Sequence, residues 1–190
     1  MSRDRITLYQ TLANRHNPSE IEKHGPYKCT NKKRSWLGVG YYFWDTFIEL
    51  AHWWGNFGGC HNGNYIICES IRPYDEEVVF DLHDNVNHIN DFKGYYYELL
   101  KTGEYTVSGA LEHLKRHTNF CDKYIAIRIR GDHSTSSIPN SKVPFILGRK
   151  PFYNLVPPIQ ICYFNCPDIS KWDYRVVYPE EYAHMEEMIF

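Results

Sequence analysis

Residues 36–55, WLGVGYYFWDTFIELAHWWG, constrain the fold more than any other stretch of the chain. Gly38 and Gly40 stand just before three consecutive aromatics, Tyr41, Tyr42 and Phe43. Glycines let a backbone come close to a ligand, and aromatic rings offer flat faces for another ring to stack on. Beyond Asp45, the apolar residues Phe47, Leu50, Ala51 and Trp54 recur at helical spacing. The pattern predicts a strand or tight loop ending near Phe43, then a helix with Asp45 as N-cap and Gly55 as its stop. A strand that feeds a capped helix is a frequent place for a ligand site.

Around this stretch the chain alternates strand and helix signals. Residues 5–11 (RITLYQT) read as a first strand, rich in β-branched and aromatic residues. Asn17, Pro18 and Glu20 predict a short helix ending near His24 and Gly25, with Asn17 as its cap. Residues 65–71 (YIICESI) and 78–82 (VVFDL) read as strands, as do 123–130 (KYIAIRIR), 143–147, 159–164 (IQICYF) and 174–177. Between them, Val86, Ile89, Phe92, Tyr96, Leu99 and Leu100 follow helical spacing up to Gly103. Thr106 is placed to cap a second helix carrying Val107, Ala110, Leu111 and Leu114. This helical block, about residues 84–118, is expected to be an insertion or a layer on one side of a sheet. Residues 131–141 (GDHSTSSIPNS) form a polar loop, and Pro179 and Glu180 begin a C-terminal helix. The order of short elements predicts a single α+β domain over residues 1–190, with a mixed, largely antiparallel split sheet and flanking helices.

Composition excludes several classes. A net charge of -2 rules out a general polyanion-binding field. The run Lys32, Lys33, Arg34 is the local exception, a solvated loop or a phosphate contact beside the aromatic stretch. The N-terminus has no apolar signal core and no apolar run reaches membrane-spanning length, so a cytoplasmic protein with no membrane partner is expected. Cys29, Cys60, Cys68, Cys121, Cys162 and Cys166 form no CxxC pair and read as free thiols. The His residues are scattered without an HExxH motif, and no metal site is expected. The two glycines are neither a Rossmann fingerprint nor part of a Walker loop, because no third glycine and no GK[ST] follow.

Gly38-Val39-Gly40-Tyr41-Tyr42-Phe43 and the helix after it resemble the signature segment of ADP-ribosyltransferases of the diphtheria-toxin and poly(ADP-ribose) polymerase type. The resemblance implies their fold, with NAD as a substrate. By position, Tyr42 would pack against the nicotinamide ring and Trp53, on the following helix, would close its other side, with Gly40 in the glycine segment. The family's first strand ends in a tripeptide whose His holds the ribose and whose Gly backbone holds the nicotinamide amide. Here those places fall on Gln10 and Thr11 of Tyr9-Gln10-Thr11. A Gln donates hydrogen bonds to a hydroxyl as well, and Thr11 still offers its backbone. The family's late-strand Glu falls on Gln160, in Pro158-Ile159-Gln160-Ile161. A neutral amide there supports a developing oxocarbenium ion less than a carboxylate does. The implied activity is therefore transfer of a single ADP-ribose to a macromolecular acceptor, a protein more than a nucleic acid, and not chain elongation.

Two alternatives stay open at this level: a catalytically silent module that binds NAD, another nucleotide or a protein, and an NAD glycohydrolase. Each signal also has a plain structural reading. Tyr42 and Trp53 fit as core aromatics, Gln10 and Glu69 as ordinary polar strand residues, and Arg149 with Lys150 as a solvated loop before the last long strand.

Overall fold

The computed structural model describes residues 5–31, 35–58, 63–103, 105–131 and 138–183. The run 32–34, Cys60 and most of the polar loop at 131–141 lie outside these residues. The strands are β1 (Arg5–Ala13), β2 (Tyr41–Asp45), β3 (Tyr65–Pro73), β4 (Val79–Asp81), β5 (Ala126–Arg130), β6 (Lys142–Pro144), β7 (Phe152–Asn154), β8 (Ile159–Tyr163) and β9 (Arg175–Tyr178). The helices are α1 (Pro18–His24), α2 (Ile48–Trp53), α3 (Val86–Leu100), α4 (Val107–His117), α5 (Phe120–Lys123) and α6 (Glu180–Ala183).

Seven strands form one sheet in the order β4-β5-β8-β2-β1-β3-β9, and β6 pairs with β7 in a separate ribbon. Every neighbour in the large sheet is antiparallel except the parallel pair β4 and β5. A parallel pair cannot be joined by a tight turn and needs a crossover. Helices α3, α4 and α5 supply it, so the mid-chain helical block is the connection that β4 and β5 require. Asn85 caps α3 by accepting from the Asn87 and His88 N–H groups, and Thr106 caps α4 by accepting from Gly109 N–H. α1 begins after Asn17 as expected, but the Asn17 side chain makes no capping bond.

The period of two along each strand separates two faces. Ile6, Leu8, Phe43, Ile161, Tyr163, Cys68 and Val176 face one way and pack with Ile21 of α1 and with Trp172 and Tyr174. Burying a Leu or Ile side chain there contributes about 1.5–3 kcal/mol each. The other face carries two separate clusters. One gathers Leu37, Phe80, Ile127 and Cys162 under Leu111 and Phe120 of the crossover helices. The second gathers Trp44, Tyr65 and Ile67 under Leu50 and Ala51 of α2. A valley runs between them along β2 and β8.

Two expectations for the aromatic stretch are corrected. Asp45 is not a helix cap: it ends β2, fully buried, and Phe47 precedes α2 without any side-chain capping bond. The reason is a charge across the sheet. Arg128 donates from Nε to Asp45 Oδ2 at 2.7 Å and from Nη1 to Asp81 Oδ2 at 2.7 Å and Asp84 Oδ2 at 2.6 Å. A buried carboxylate is stable only when paired, and this pairing outweighs a capping bond that water could replace. Gly55 does not stop the helix either. The chain continues through a π-type turn, Trp54–Gly58, and Gly55 lies against the Tyr65 ring, where a side chain would clash. No helix among the described residues is long and apolar enough to cross a membrane.

Candidate functional site

The ladder of β1 with β3 has nine register pairs, but that of β1 with β2 has two, Leu8 with Asp45 and Tyr9 with Trp44. Beyond Tyr9 the strands part, and a cleft of about 190 Å³ opens at the split. Its walls include Gln10 and Thr11 from β1, Tyr42 and Trp44 from β2, Gln160 from β8, Trp36 and Trp54. Three adjacent strands therefore bring together Gln10, Tyr42 and Gln160, residues up to 150 positions apart in the chain.

Gln10 is saturated. Its Nε2 donates to the carbonyls of Tyr27 (2.8 Å) and Tyr42 (3.1 Å). Its Oε1 accepts from Tyr27 N–H and from the Tyr174 hydroxyl, both at 2.8 Å. An amide has two N–H groups and two carbonyl lone pairs, so all four are used. Gln10 takes the place of strand pairing where β1 leaves β2 and fixes the roof segment at residues 27–29.

Gln160 is the opposite case. It is 7 % exposed and its Oε1 has no hydrogen-bond partner among the described residues. In register it pairs with Trp44 of β2, which pairs in turn with Tyr9, so these three share the valley face. Ser70 Oγ is also buried without a partner, but Ser70 does not line the cleft. A buried orphan acceptor carries a desolvation penalty. Gln160 lines the cleft but its Oε1 is closed to solvent, so a ligand's N–H or O–H reaches it only when the amide turns.

Tyr42 lines the cleft and braces its wall. Its hydroxyl accepts from Leu37 N–H and donates to the Gly38 carbonyl, both at 2.8 Å. Burial raises its phenol far above the ordinary value, so it stays neutral. Gly38 holds this turn at φ +92°, a conformation that favours glycine. Lys115 of α4 donates to the Leu37 carbonyl at 2.6 Å, and the Trp36 ring rests on Gly131. The neighbours of Trp36 thus fix its ring at the mouth.

The other sequence candidates fall as follows. The Thr11 side chain is turned into the fold, donating to the Ala51 carbonyl at 2.8 Å, and leaves its backbone at the split. Gly40 does not line the cleft. It bridges to Cys29, and a side chain there would strike Cys162 Sγ and the Tyr163 carbonyl, so the glycine serves strand packing. Trp53 does not line the cleft, and Trp54 does. Trp53 instead sets its ring edge-on to Trp44 at 6.3 Å, because the turn after α2 brings the next residue round to the opening. Glu69 pairs with Arg175 and lies outside the cleft.

Comparison with models of known families, with curated proteins and with solved structures gives no match to this chain. Function therefore has to be argued from the site. Sequence reading missed Trp36, Trp44, Tyr9 and Trp54 as walls. Trp44 had a signal, since it lies two residues beyond Tyr42 and so on the same strand face. Trp36 had none, because a tertiary turn positions it. Burial, followed by the charge of Glu69, raises Tyr9 to about 12, and burial lifts the Cys68 and Cys162 thiols to about 12. None of the three is ionised near neutral pH, which removes a thiolate nucleophile from these buried positions. His113 and His117 stand one helical turn apart with their rings tilted at 4.3 Å, but among the described residues no group of three or more His, Cys, Asp or Glu could hold a metal.

Proposed function

We propose that the chain is an ADP-ribosyltransferase-like protein that binds NAD and transfers a single ADP-ribose to a macromolecule, a protein acceptor being favoured. The observation that carries this reading is the aromatic-walled cleft at the strand split, lined by Thr11, Tyr42, Trp44, Trp54 and Gln160, whose Oε1 is left without a partner among the described residues. At about 190 Å³ the cleft is below the roughly 300–1,000 Å³ of drug-sized sites. It suits one ring with its sugar, and the rest of NAD would lie outside. Tyr42, Trp44 and Trp54 would hold the nicotinamide ring, and the Thr11 backbone its amide. Gln160 Oε1 would accept from a ribose hydroxyl. Gln10 acts as a positioning residue, because its N–H groups are spent on Tyr27 and Tyr42.

Nicotinamide leaves NAD as a neutral molecule, so the protein's task is to clamp the ring, orient the ribose and admit an acceptor. Turned toward the sugar, the Gln160 carbonyl would offer partial negative charge to an oxocarbenium-like carbon, less than a carboxylate would. Incubation with labelled NAD and a cell lysate tests the reading. Transfer of label that is lost in Gln160→Met and Trp54→Ala is expected. Absence of both labelled macromolecule and free nicotinamide removes the enzymatic claim.

One observation favours a second reading, a silent NAD-binding module: among the described residues, none lining the cleft is a carboxylate. Calorimetric binding of NAD with no turnover would select it. Release of nicotinamide without labelled macromolecule would instead select an NAD glycohydrolase.

A further inference from the structure

The β6–β7 ribbon is unlike the rest of the molecule. Val143 pairs with Tyr153 and Pro144 with Phe152, and the end closes where Arg149 N–H donates to the Ile146 carbonyl at 3.1 Å. Its apolar side chains enter none of the three core clusters. Leu147 is 90 % exposed, Phe145 70 %, Ile146 65 % and Tyr153 60 %. Contiguous exposed apolar surface of this kind marks a binding surface.

Two features choose its partner. The first is two-sidedness. Val143 and Tyr153 face one side of the ribbon, with Phe145 against Tyr153 at 6.4 Å. Pro144 and Phe152 face the other, and Leu147 stands at the end. A protein groove covers one face of a docked strand pair, whereas a lipid interface receives apolar side chains on both. The second is charge. Lys142, Arg149 and Lys150 sit in the ribbon, and no Asp or Glu occurs anywhere from residue 138 to 166. The whole chain carries -2, so this is a local cationic zone on an acidic protein. Lys142 Nζ lies over the Phe152 ring at 5.1 Å, its stem along apolar surface, as cations do at an interface.

We infer that the tip of this ribbon, Phe145, Ile146 and Leu147 with Arg149 and Lys150, docks on an anionic lipid surface. The apolar residues enter the headgroup boundary while the cations meet lipid charge. The inference is independent of the NAD reading, since the ribbon tip contributes no wall to the cleft.

Vesicle co-sedimentation tests it, using phosphatidylcholine alone and phosphatidylcholine with phosphatidylserine. The full chain is expected to pellet with the mixed vesicles and stay in solution with the neutral ones, and to be released by added salt. Arg149→Glu with Lys150→Glu is expected to weaken binding by at least about tenfold, from about 1 kcal/mol per cation near the surface. Phe145→Ser, Ile146→Ser and Leu147→Ser together should abolish it. These residues enter no core cluster, so circular dichroism of each variant should match the parent. Equal binding to both vesicle types, or variants that bind as the parent does, overturns the inference. A parent that ignores vesicles overturns it too, including one whose ribbon captures a protein instead.

Discussion

Gln10 and Gln160 carry the same side chain, are 6 % and 7 % exposed, and line the same cleft. They differ in partners. Gln10 uses every donor and acceptor it has on residues of three other segments, while the Gln160 carbonyl has none. Residue type and burial therefore do not separate a group committed to the fold from one left unengaged; the partner count does. The Arg128 network belongs with Gln10. Its three carboxylate partners come from β2, β4 and the turn after β4, and Tyr74 adds a bond to Asp81 at 2.7 Å. A saturated buried group cannot be removed without orphaning its partners, and an unsaturated one can.

Four measurements sharpen or break this contrast. The largest effect belongs to Arg128→Met, which leaves Asp45 and Asp81 buried without their cation. A loss of about 3–5 kcal/mol in urea unfolding is expected, and a loss below about 1 kcal/mol would show that water reaches the carboxylates. Gln10→Ala comes next, at about 3 kcal/mol for four bonds whose partners stay partly buried. Gln160→Met inverts the pattern. Its stability should stay within about 1 kcal/mol of the parent or rise, because an orphan acceptor is replaced by an apolar group. The same variant should lose NAD binding in calorimetry. A Gln160→Met protein as unstable as Gln10→Ala would erase the distinction between the two.

The smallest effect is in pH. His88 Nδ1 accepts from Asp81 N–H at 3.0 Å, and burial, with the charge of Lys123, lowers its folded pKa below the ordinary 6.5. The unfolded chain then takes up the proton first. The His88 contribution is fully present above pH 6.5 and falls as the pH drops through 6.5 towards the folded value. For Asp81, burial pushes its pKa upward, but Arg128 and the hydrogen bonds outweigh it and hold the pKa below 3.8. Its contribution is complete above 3.8 and disappears only as the pH falls through the lower folded value. Urea midpoints recorded from neutral to acid pH should decline in these two separate steps, and His88→Gln should shrink the first, to which His52 and His83, also lowered by burial, contribute. One decline confined to the carboxylate range would contradict the assignment to His88.

Most of the elements were legible in the sequence. β-Branched and aromatic residues at 5–11 mark β1 and alternation within 123–130 marks β5, although β5 begins only at Ala126 and Lys123 ends α5. Thr106 caps its helix as its position foretold. The largely antiparallel sheet with flanking helices follows from the order of the elements. The β7 strand was missed, because a short exposed run beside Pro151 carries no burial pattern. Asp45 was misread because a capping residue and a buried ion-pair partner are the same residue type in the same local sequence. Only the distant Arg128 distinguishes them.

Local sequence alone marks paired glycines, an aromatic strand, and amides on two other strands, residue types suited to holding a ring. Local propensity and side-chain period are encoded within a few residues, so they can be read from a short stretch. Tertiary structure decided the rest. It set β2 between β1 and β8, brought Trp54 to the opening in place of Trp53, and gave Gly40 to strand packing. It also consumed one amide and left the other's carbonyl open. Those outcomes depend on partners 17 to 164 residues away, which no local pattern records.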